Sequence, residues 1–341
     1  PVARALELGT PVTRSVESVL ALMQPGPSAD MLRELGPETV AVLPLPAESR
    51  TVGVLSLYQN PGRVMSEADV RTAAEVAAQA GRAVERVHRH SQQVQLAEAL
   101  QRSLLTEPPA LPGVEVAVRY VPAAEAARVG GDWYDAFPLR DGTPAVVIGD
   151  VTGHDTAAAA AMGQLRGLLR GVAHAGGGSP AQVLRALDEA VVDLHPDTLA
   201  TAALAFIERD DAGRTSLRWA SAGHPPPALV RGPDDVVLLG GASGELLLGV
   251  HPTAPRSDAS VVLRNGDTVV LYTDGLVERR DAVLDAGLER LCAALADLAG
   301  RPLEAVCDEL LARMLPGTPQ DDVALVALRL AGPAGARART E

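Results

Sequence analysis

Apolar residues along the chain follow two rhythms. Short runs rich in Val, Leu, Ile and Ala recur at Thr39–Leu43, Val52–Tyr58, Val114–Tyr120, Ala145–Ile148, Ala200–Ile207, Leu217–Ala220, Thr268–Tyr272 and Val323–Leu330. Their length and the turn residues near their ends predict strands. Between them the spacing becomes helical. Ala73, Ala77, Ala80, Val84 and Val87 share a face, and further helices are predicted at Thr156–Leu169, at Pro180–Leu194 and within Leu284–Leu315. Two helix starts are marked. Ser66 is a predicted N-cap with Asp69 three positions on, and Ser179-Pro180-Ala181-Gln182 is a capping box with Pro at the first helical position. Ala200–Ile207 and Leu217–Ala220 flank the turn Asp210-Asp211-Ala212-Gly213, as a hairpin would. Strands outnumber crossover helices, which predicts an α/β (α+β) chain of antiparallel sheets with helices stacked outside.

The same pattern divides the chain. Residues 1–90 read as one α/β unit, 91–108 as a helical linker, 109–331 as a second domain, and 332–341 as a Gly/Ala/Arg-rich tail expected to be disordered. The helix continues over 81–107 until Pro108, Pro109 and Pro112 stop it. Within it Ala80, Val87 and Val94 recur by sevens beside Ala83, His90 and Ala97. Two readings stand: an amphipathic helix packed on its own domain, or a signalling helix that pairs with its copy in a homodimer.

Composition narrows the function classes. The core must be built from Ala, Val and Leu, because aromatics are only 2% of the chain while 47% is hydrophobic. A formal net charge of -13 argues against nucleic acid, which demands a basic footprint, and against an anionic membrane surface. No apolar stretch approaches the roughly 18–20 residues that span a bilayer, and no signal peptide is visible. The chain opens on Pro1 rather than Met, as an excised fragment would. Cys292 and Cys307 lie on predicted helices without metal-ligand spacing and read as two buried thiols of a reducing cytoplasm.

The chemistry lies in five short motifs in fixed order. They are Gly130-Gly131-Asp132-Trp133-Tyr134-Asp135, Ile148-Gly149-Asp150-Val151-Thr152-Gly153-His154, Ser221-Ala222-Gly223-His224-Pro225, Tyr272-Thr273-Asp274-Gly275 and Asp321-Asp322-Val323. Asp150 and Asp274 each follow a buried strand at a turn, and Asp321-Asp322 precedes another strand. One such acid is ordinary turn chemistry. Three in one domain, none with Arg beside it in sequence, would repel one another if they converge unless a cation offsets them. Oxygen ligands suit Mg²⁺ or Mn²⁺.

Together with Leu100-Gln101-Arg102-Ser103-Leu104-Leu105 as an entry helix, the ordered motifs over about 100–330 resemble the SpoIIE/RsbU branch of the PPM (PP2C-type) Ser/Thr protein phosphatases. The resemblance implies a PP2C-like αββα sandwich of two antiparallel sheets flanked by helices, holding two Mn²⁺ or Mg²⁺ ions. Asp150 would bridge both ions, the Val151 carbonyl would bind one, and Asp274 and Asp321 the other. Asp132 would reach the first ion through water, and Asp322 stands between second-sphere neighbour and direct ligand. Asp150, Asp274 and Asp321 are thereby the candidate catalytic residues. Two cations about 3.5–4 Å apart acidify a shared water, which then attacks phosphorus without a protein nucleophile. Asp135 stands between outer-sphere contact and plain strand charge. Trp133 and Tyr134 read as sheet packing, and His224 as structural. His154 is a candidate acid or a turn residue, and Arg128 a phosphate contact or a solvated loop residue. Alanines 157–161 open a helix that reads either as tight core packing or as a switch acting on Asp150 and Val151.

Strand, strand, Leu57-Tyr58, then Ser66-Glu67-Ala68-Asp69 and an Ala-rich helix resemble the back half of a GAF sensor domain over about 30–90. Two departures from the phosphatase pattern, Asp155 for Gly and Leu247 for Pro, touch no expected ligand. The resemblance implies a cytoplasmic bacterial phosphatase whose protein substrate is a phosphorylated anti-sigma-factor antagonist of STAS type. The rivals are a catalytically silent sensor scaffold that binds a regulatory partner, and a two-metal nuclease, which the acidic balance opposes.

Overall fold

The computed structural model describes residues 1–48, 50–62, 65–105, 107–123, 130–153, 156–194, 197–240, 245–279, 283–317, 319 and 321–330, with backbone alone at 93–104 and 156. The chain divides into two units, Pro1–Gln93 and Val94–Glu341. The first contains α1 (Val2–Leu8), β1 (Val12–Ser15), α2 (Val16–Leu20), α3 (Pro27–Leu35), β2 (Thr39–Pro46), β3 (Thr51–Gln59) and the start of α4 (Glu67–Leu104). Its three strands form an antiparallel sheet in the order β1-β2-β3. Alternation along β2 sends Val40 and Val42 to a core with Ala5, Val16, Val19 and Leu32, while Ala41 and Leu43 face Ala77 of α4. The helix approaches closely because Gly81 has no side chain: a Cβ there would stand 2.3 Å from the Pro46 carbonyl oxygen. The expected N-cap is present, with Asp69 N–H donating to Ser66 Oγ at 3.2 Å and Ser66 N–H to Asp69 Oδ2 at 2.9 Å. The short elements α1 to α3 and β1 go unpredicted because few of their residues are apolar and buried.

The second unit adds β4 (Val114–Val121), β5 (Asp132–Pro138), β6 (Pro144–Val151), α5 (Thr156–Gly176), α6 (Pro180–Leu194), β7 (Ala200–Arg209), β8 (Thr215–Ala222), β9 (Ala228–Gly232), β10 (Asp235–Leu238), β11 (Ala259–Leu263), β12 (Thr268–Tyr272), α7 (Leu284–Leu298), α8 (Leu303–Met314) and β13 (Val323–Leu330). They build two five-stranded antiparallel sheets, β10-β9-β12-β13-β4 and β11-β8-β7-β6-β5. Val146 and Ile148 of β6, Leu271 of β12 and Val326 of β13 meet between the sheets. Leu165, Leu169, Leu184 and Leu187 of α5 and α6 cover the outer face of one sheet. Leu291, Leu295, Val306 and Leu310 of α7 and α8 cover that of the other. The result is the expected αββα sandwich.

Several boundaries differ from the sequence reading. Strand β6 runs on through Val151, so Asp150 is a paired strand residue and not the first residue of a turn. Glycines 130 and 131 precede a full strand, β5, where the sequence suggested only a motif. The helical segment 284–315 is two helices, broken where Gly300 takes φ +77° after Ala299. The capping box before α6 forms as expected, with Ser179 N–H donating to Gln182 Oε1 at 2.9 Å. Among the described residues no helix is long and apolar enough to cross a membrane. The tail 332–341 lies outside the described residues.

A buried ion pair fastens the loop that follows β10. Arg256 Nη2 lies 2.5 Å from Asp188 Oδ2 on α6, with both side chains 1% exposed. Gly249 N–H donates to Asp188 Oδ1 at 2.8 Å, and Arg256 Nη1–H to the Leu246 carbonyl at 3.0 Å. Removing one partner strands a buried charge. Asp188→Ala is expected to cost about 3–5 kcal/mol in urea unfolding, and Asp188→Leu with Arg256→Met to recover most of it. A single-variant cost under about 1 kcal/mol would contradict the assignment.

Candidate metal centre

Strand parity carries the acids to one place. Asp132 is the register partner of Asp150, and Thr201 of β7 is the partner of Asp150 on its other side. Asp150 shares a strand face with Val146 and Ile148, which point between the sheets, and Asp132 shares one with Tyr134. The opposite sheet supplies the rest. Thr273, two residues beyond Leu271 on the same inward face, donates its hydroxyl to Asp132 Oδ2 at 2.7 Å and accepts from Ala324 N–H at 2.8 Å. Asp274 follows and opens a short 3₁₀ turn, its carbonyl accepting from Val277 and Glu278 N–H. Asp321 Oδ1 accepts from Asp322 N–H at 2.9 Å. Asp322, on the inner face with Ala324, accepts from Ala123 N–H at 2.9 Å and bonds the Tyr120 hydroxyl.

Two glycines make this convergence possible. A Cβ on Gly131 would lie 2.0 Å from the Val151 carbonyl oxygen and 2.9 Å from Asp150 Oδ1, so both oxygens flank one point that only a glycine leaves open. A Cβ on Gly130 would meet Asp322 Oδ2 at 1.8 Å.

Charge is the site's main property. Burial first, then the Asp150 charge, holds the Asp132 carboxyl well above the usual carboxylate range, against the lowering hydrogen bond from Thr273. Burial, then Asp274, pushes Asp150 up to about 7, with further push from Asp321 and Asp322. Burial, Asp321 and Glu278 raise Asp274. Among the described residues no three His, Cys, Asp or Glu side chains close on one point as a finished cage. The carboxylates instead stand at the range of mutual repulsion. Acidic oxygens, the Val151 carbonyl beside them and a gap without Cβ fit a hard divalent cation, which takes oxygen ligands and relieves like charge.

The six expected positions, Asp132, Asp150, Val151, Asp274, Asp321 and Asp322, therefore gather at one end of the gap between the sheets. Asp135 does not join them. It points to the other face of β5, buried, with Arg166 Nε at 3.1 Å and Arg170 Nε at 3.6 Å, and so ties the sheet to α5. Of the two readings of Asp135 this removes the outer-sphere contact and leaves the strand charge, here paired with two arginines of α5. Trp133 packs under α5 and α6 and Tyr134 between the sheets, as expected. Arg128, His154 and Asp155 lie outside the described residues. Cys307 is buried but Cys292 only half so, and both are free thiols. His224 is structural, as expected, but it reaches beyond its turn to Thr201 Oγ1 at 2.8 Å and the Tyr272 carbonyl at 3.1 Å. Thr273, Thr201 and Tyr120 are missed by the sequence reading. The one available signal was a Thr of inward parity directly before Asp274.

Comparison with known proteins agrees with this architecture. The model of the family described as Stage II sporulation protein E (SpoIIE) matches residues 140–331, and that of the GAF domain residues 2–84, further toward the start than the resemblance over 30–90. Protein IcfG of Synechocystis sp. is 27% identical over 233 residues, 60% of this chain and 36% of IcfG. The RsbU and RsbW domains of Rv1364c from Mycobacterium tuberculosis superpose with a TM-score of 0.59 at 34% identity, over 67% of this chain and 63% of that one. The SiaA-PP2C domain of Pseudomonas aeruginosa shares the fold, with a TM-score of 0.57 at 22% identity over 72% of this chain and 98% of that domain. The chain thus spans about a third of IcfG and under two thirds of the Rv1364c structure. Because the SpoIIE match takes in more than half of the chain, including the strands that bring Asp150, Asp274 and Asp321 together, this protein belongs to the SpoIIE (PP2C-type) family, with a GAF domain ahead of its sandwich.

Proposed function

We propose that the chain is a metal-dependent protein serine/threonine phosphatase of SpoIIE/RsbU type, regulated through its GAF domain. The observation that carries this is the meeting of strand-end aspartates from both sheets at one end of the sandwich, where burial and mutual repulsion keep Asp132, Asp150 and Asp274 from ionising freely. Two divalent cations, Mn²⁺ or Mg²⁺, when bound, supply positive charge to phosphoryl oxygens and acidity to water. Asp150 and the Val151 carbonyl would hold them from one sheet, and Asp274 and Asp321 from the other. Thr273 orients Asp132 for an outer contact, while Ala123 N–H and the Tyr120 hydroxyl hold Asp322 behind it. Neither Cys292 nor Cys307 lies among these groups, so no thiol nucleophile is called on.

The substrate we propose is a phosphorylated STAS-type anti-sigma-factor antagonist met in the cytoplasm. Likeness to an RsbU domain solved together with an RsbW domain supports that class of pathway. We also propose a homodimer through the linker helix; the support lies just ahead of it on the same helix, α4, where Val76 and Val87 are 54% and 69% exposed at helical spacing with Ala80 and Ala83.

Asp150→Asn and Asp274→Asn are each expected to lower Mn²⁺-dependent hydrolysis of p-nitrophenyl phosphate and of a phosphoserine protein about 100-fold or more, and EDTA to do the same to the wild type. A rate indifferent to EDTA would refute the proposal. A second expectation concerns pH. The raised Asp150 carboxyl favours the metal-free fold below the ordinary carboxylate range near 3.9, and that contribution is lost as pH rises through about 7. Mn²⁺ should therefore raise the melting temperature more at pH 7.5 than at pH 5, and an equal rise at both would contradict the assignment. Val87→Glu is expected to shift sedimentation from dimer to monomer; an unchanged species would leave α4 without that role.

A further inference from the structure

His224 is fixed more firmly than a turn requires. Its own N–H donates to Ser221 Oγ, and Ser221 Oγ–H donates to its carbonyl, each at 3.1 Å. Gly223 takes φ +68° and bridges to Ala202, folding the turn back over the start of β7. The backbone thus holds the imidazole in place, buried and 7% exposed. Both ring nitrogens are used. Nε2 faces the Tyr272 carbonyl and must donate, which leaves Nδ1 to accept from the Thr201 hydroxyl. Burial pushes the ring down to about 3, so it stays in the neutral form with one donor and one acceptor.

The two partners belong to different sheets. Thr201 lies on β7, directly opposite Asp150. Tyr272 is the last residue of β12, and its carbonyl is followed by Thr273, which holds Asp132, and by Asp274. Apolar packing between the sheets is non-directional and does not by itself fix their spacing at the rim. The carboxylates there push the sheets apart. Thr273 also links them, but through Asp132, a member of the repelling group. The His224 link uses no carboxylate.

We infer that His224 is a positioning residue of the metal centre, a strut between β7 and β12 that sets the separation of Asp150 from Asp274 independently of the acids themselves. The inference rests on the metal-centre reading above. If it holds, loss of the strut loosens cation binding while leaving substrate recognition alone.

Thr201→Val removes one hydroxyl and keeps the side chain's shape, Thr201→Ser keeps the hydroxyl, and His224→Phe removes both ring contacts. Titration calorimetry with Mn²⁺, melting temperature, and kcat and KM for p-nitrophenyl phosphate are measured for each. Thr201→Val and His224→Phe are expected to weaken Mn²⁺ binding about 10-fold or more, the range seen when groups behind metal ligands are removed. KM should stay within about twofold, and Thr201→Ser should bind Mn²⁺ like the wild type. Should His224→Phe fail to fold, Thr201→Val decides. Wild-type Mn²⁺ affinity in Thr201→Val, or a fall in melting temperature without a change in affinity, overturns the strut while the metal centre stands. A wild type that takes up neither Mn²⁺ nor Mg²⁺ overturns both.

Discussion

Carboxylates that repel one another are held together by everything else in the sandwich. Asp132 and Asp150 face each other across β5 and β6, and Asp274 and Asp321 approach from the other sheet. Burial removes the water that would screen them, which magnifies the repulsion. The surrounding fold must supply the compensating attraction. It does so with fully buried aliphatic strands on the inner faces, Thr273 and His224 across the gap, and glycines 130 and 131 where a side chain would block the approach. The arrangement makes physical sense as a receptacle for positive charge.

The same sheet serves two purposes on its two faces. On β5 the inward residues Asp132 and Tyr134 belong to the site and the inner core. The outward residues Trp133 and Asp135 belong to the contact with α5. Period-two alternation thus lets one short motif both present a ligand and anchor the helix that starts just after Asp150 and Val151. A buried Asp135 with two arginines is costly to desolvate, yet it fixes which part of α5 lies over which part of the sheet.

Much of this was legible in the sequence, for identifiable reasons. Thr268–Tyr272 and Val323–Leu330 are continuous apolar runs with clear ends, and their bounds match the structure residue for residue. The capping box at Ser179 is a local interaction, so local reading finds it. The aspartates stand out because acids beside glycine at strand ends are unusual in number. What escapes is non-local. Thr201 and Thr273 look like ordinary strand threonines, and their roles exist only once two sheets meet. Strand β5 is concealed by its two aspartates, which disfavour a strand until their partners are known. In the first unit α2 is only five residues long, too short for a periodic signal.

The pairing of β4 with β13 has a consequence for the newly made chain. These strands join over their full lengths although one opens the sandwich and the other closes it, from Val114 to Leu330. Asp321 and Asp322 stand immediately before β13. During synthesis, Asp132 and Asp150 emerge from the ribosome well before the residues that complete their cluster. Contacts this distant in sequence form late and slowly. A chain that lacks β13 therefore lacks the strand that places Asp321 and Asp322 beside the other acids, and the cluster closes only with that strand.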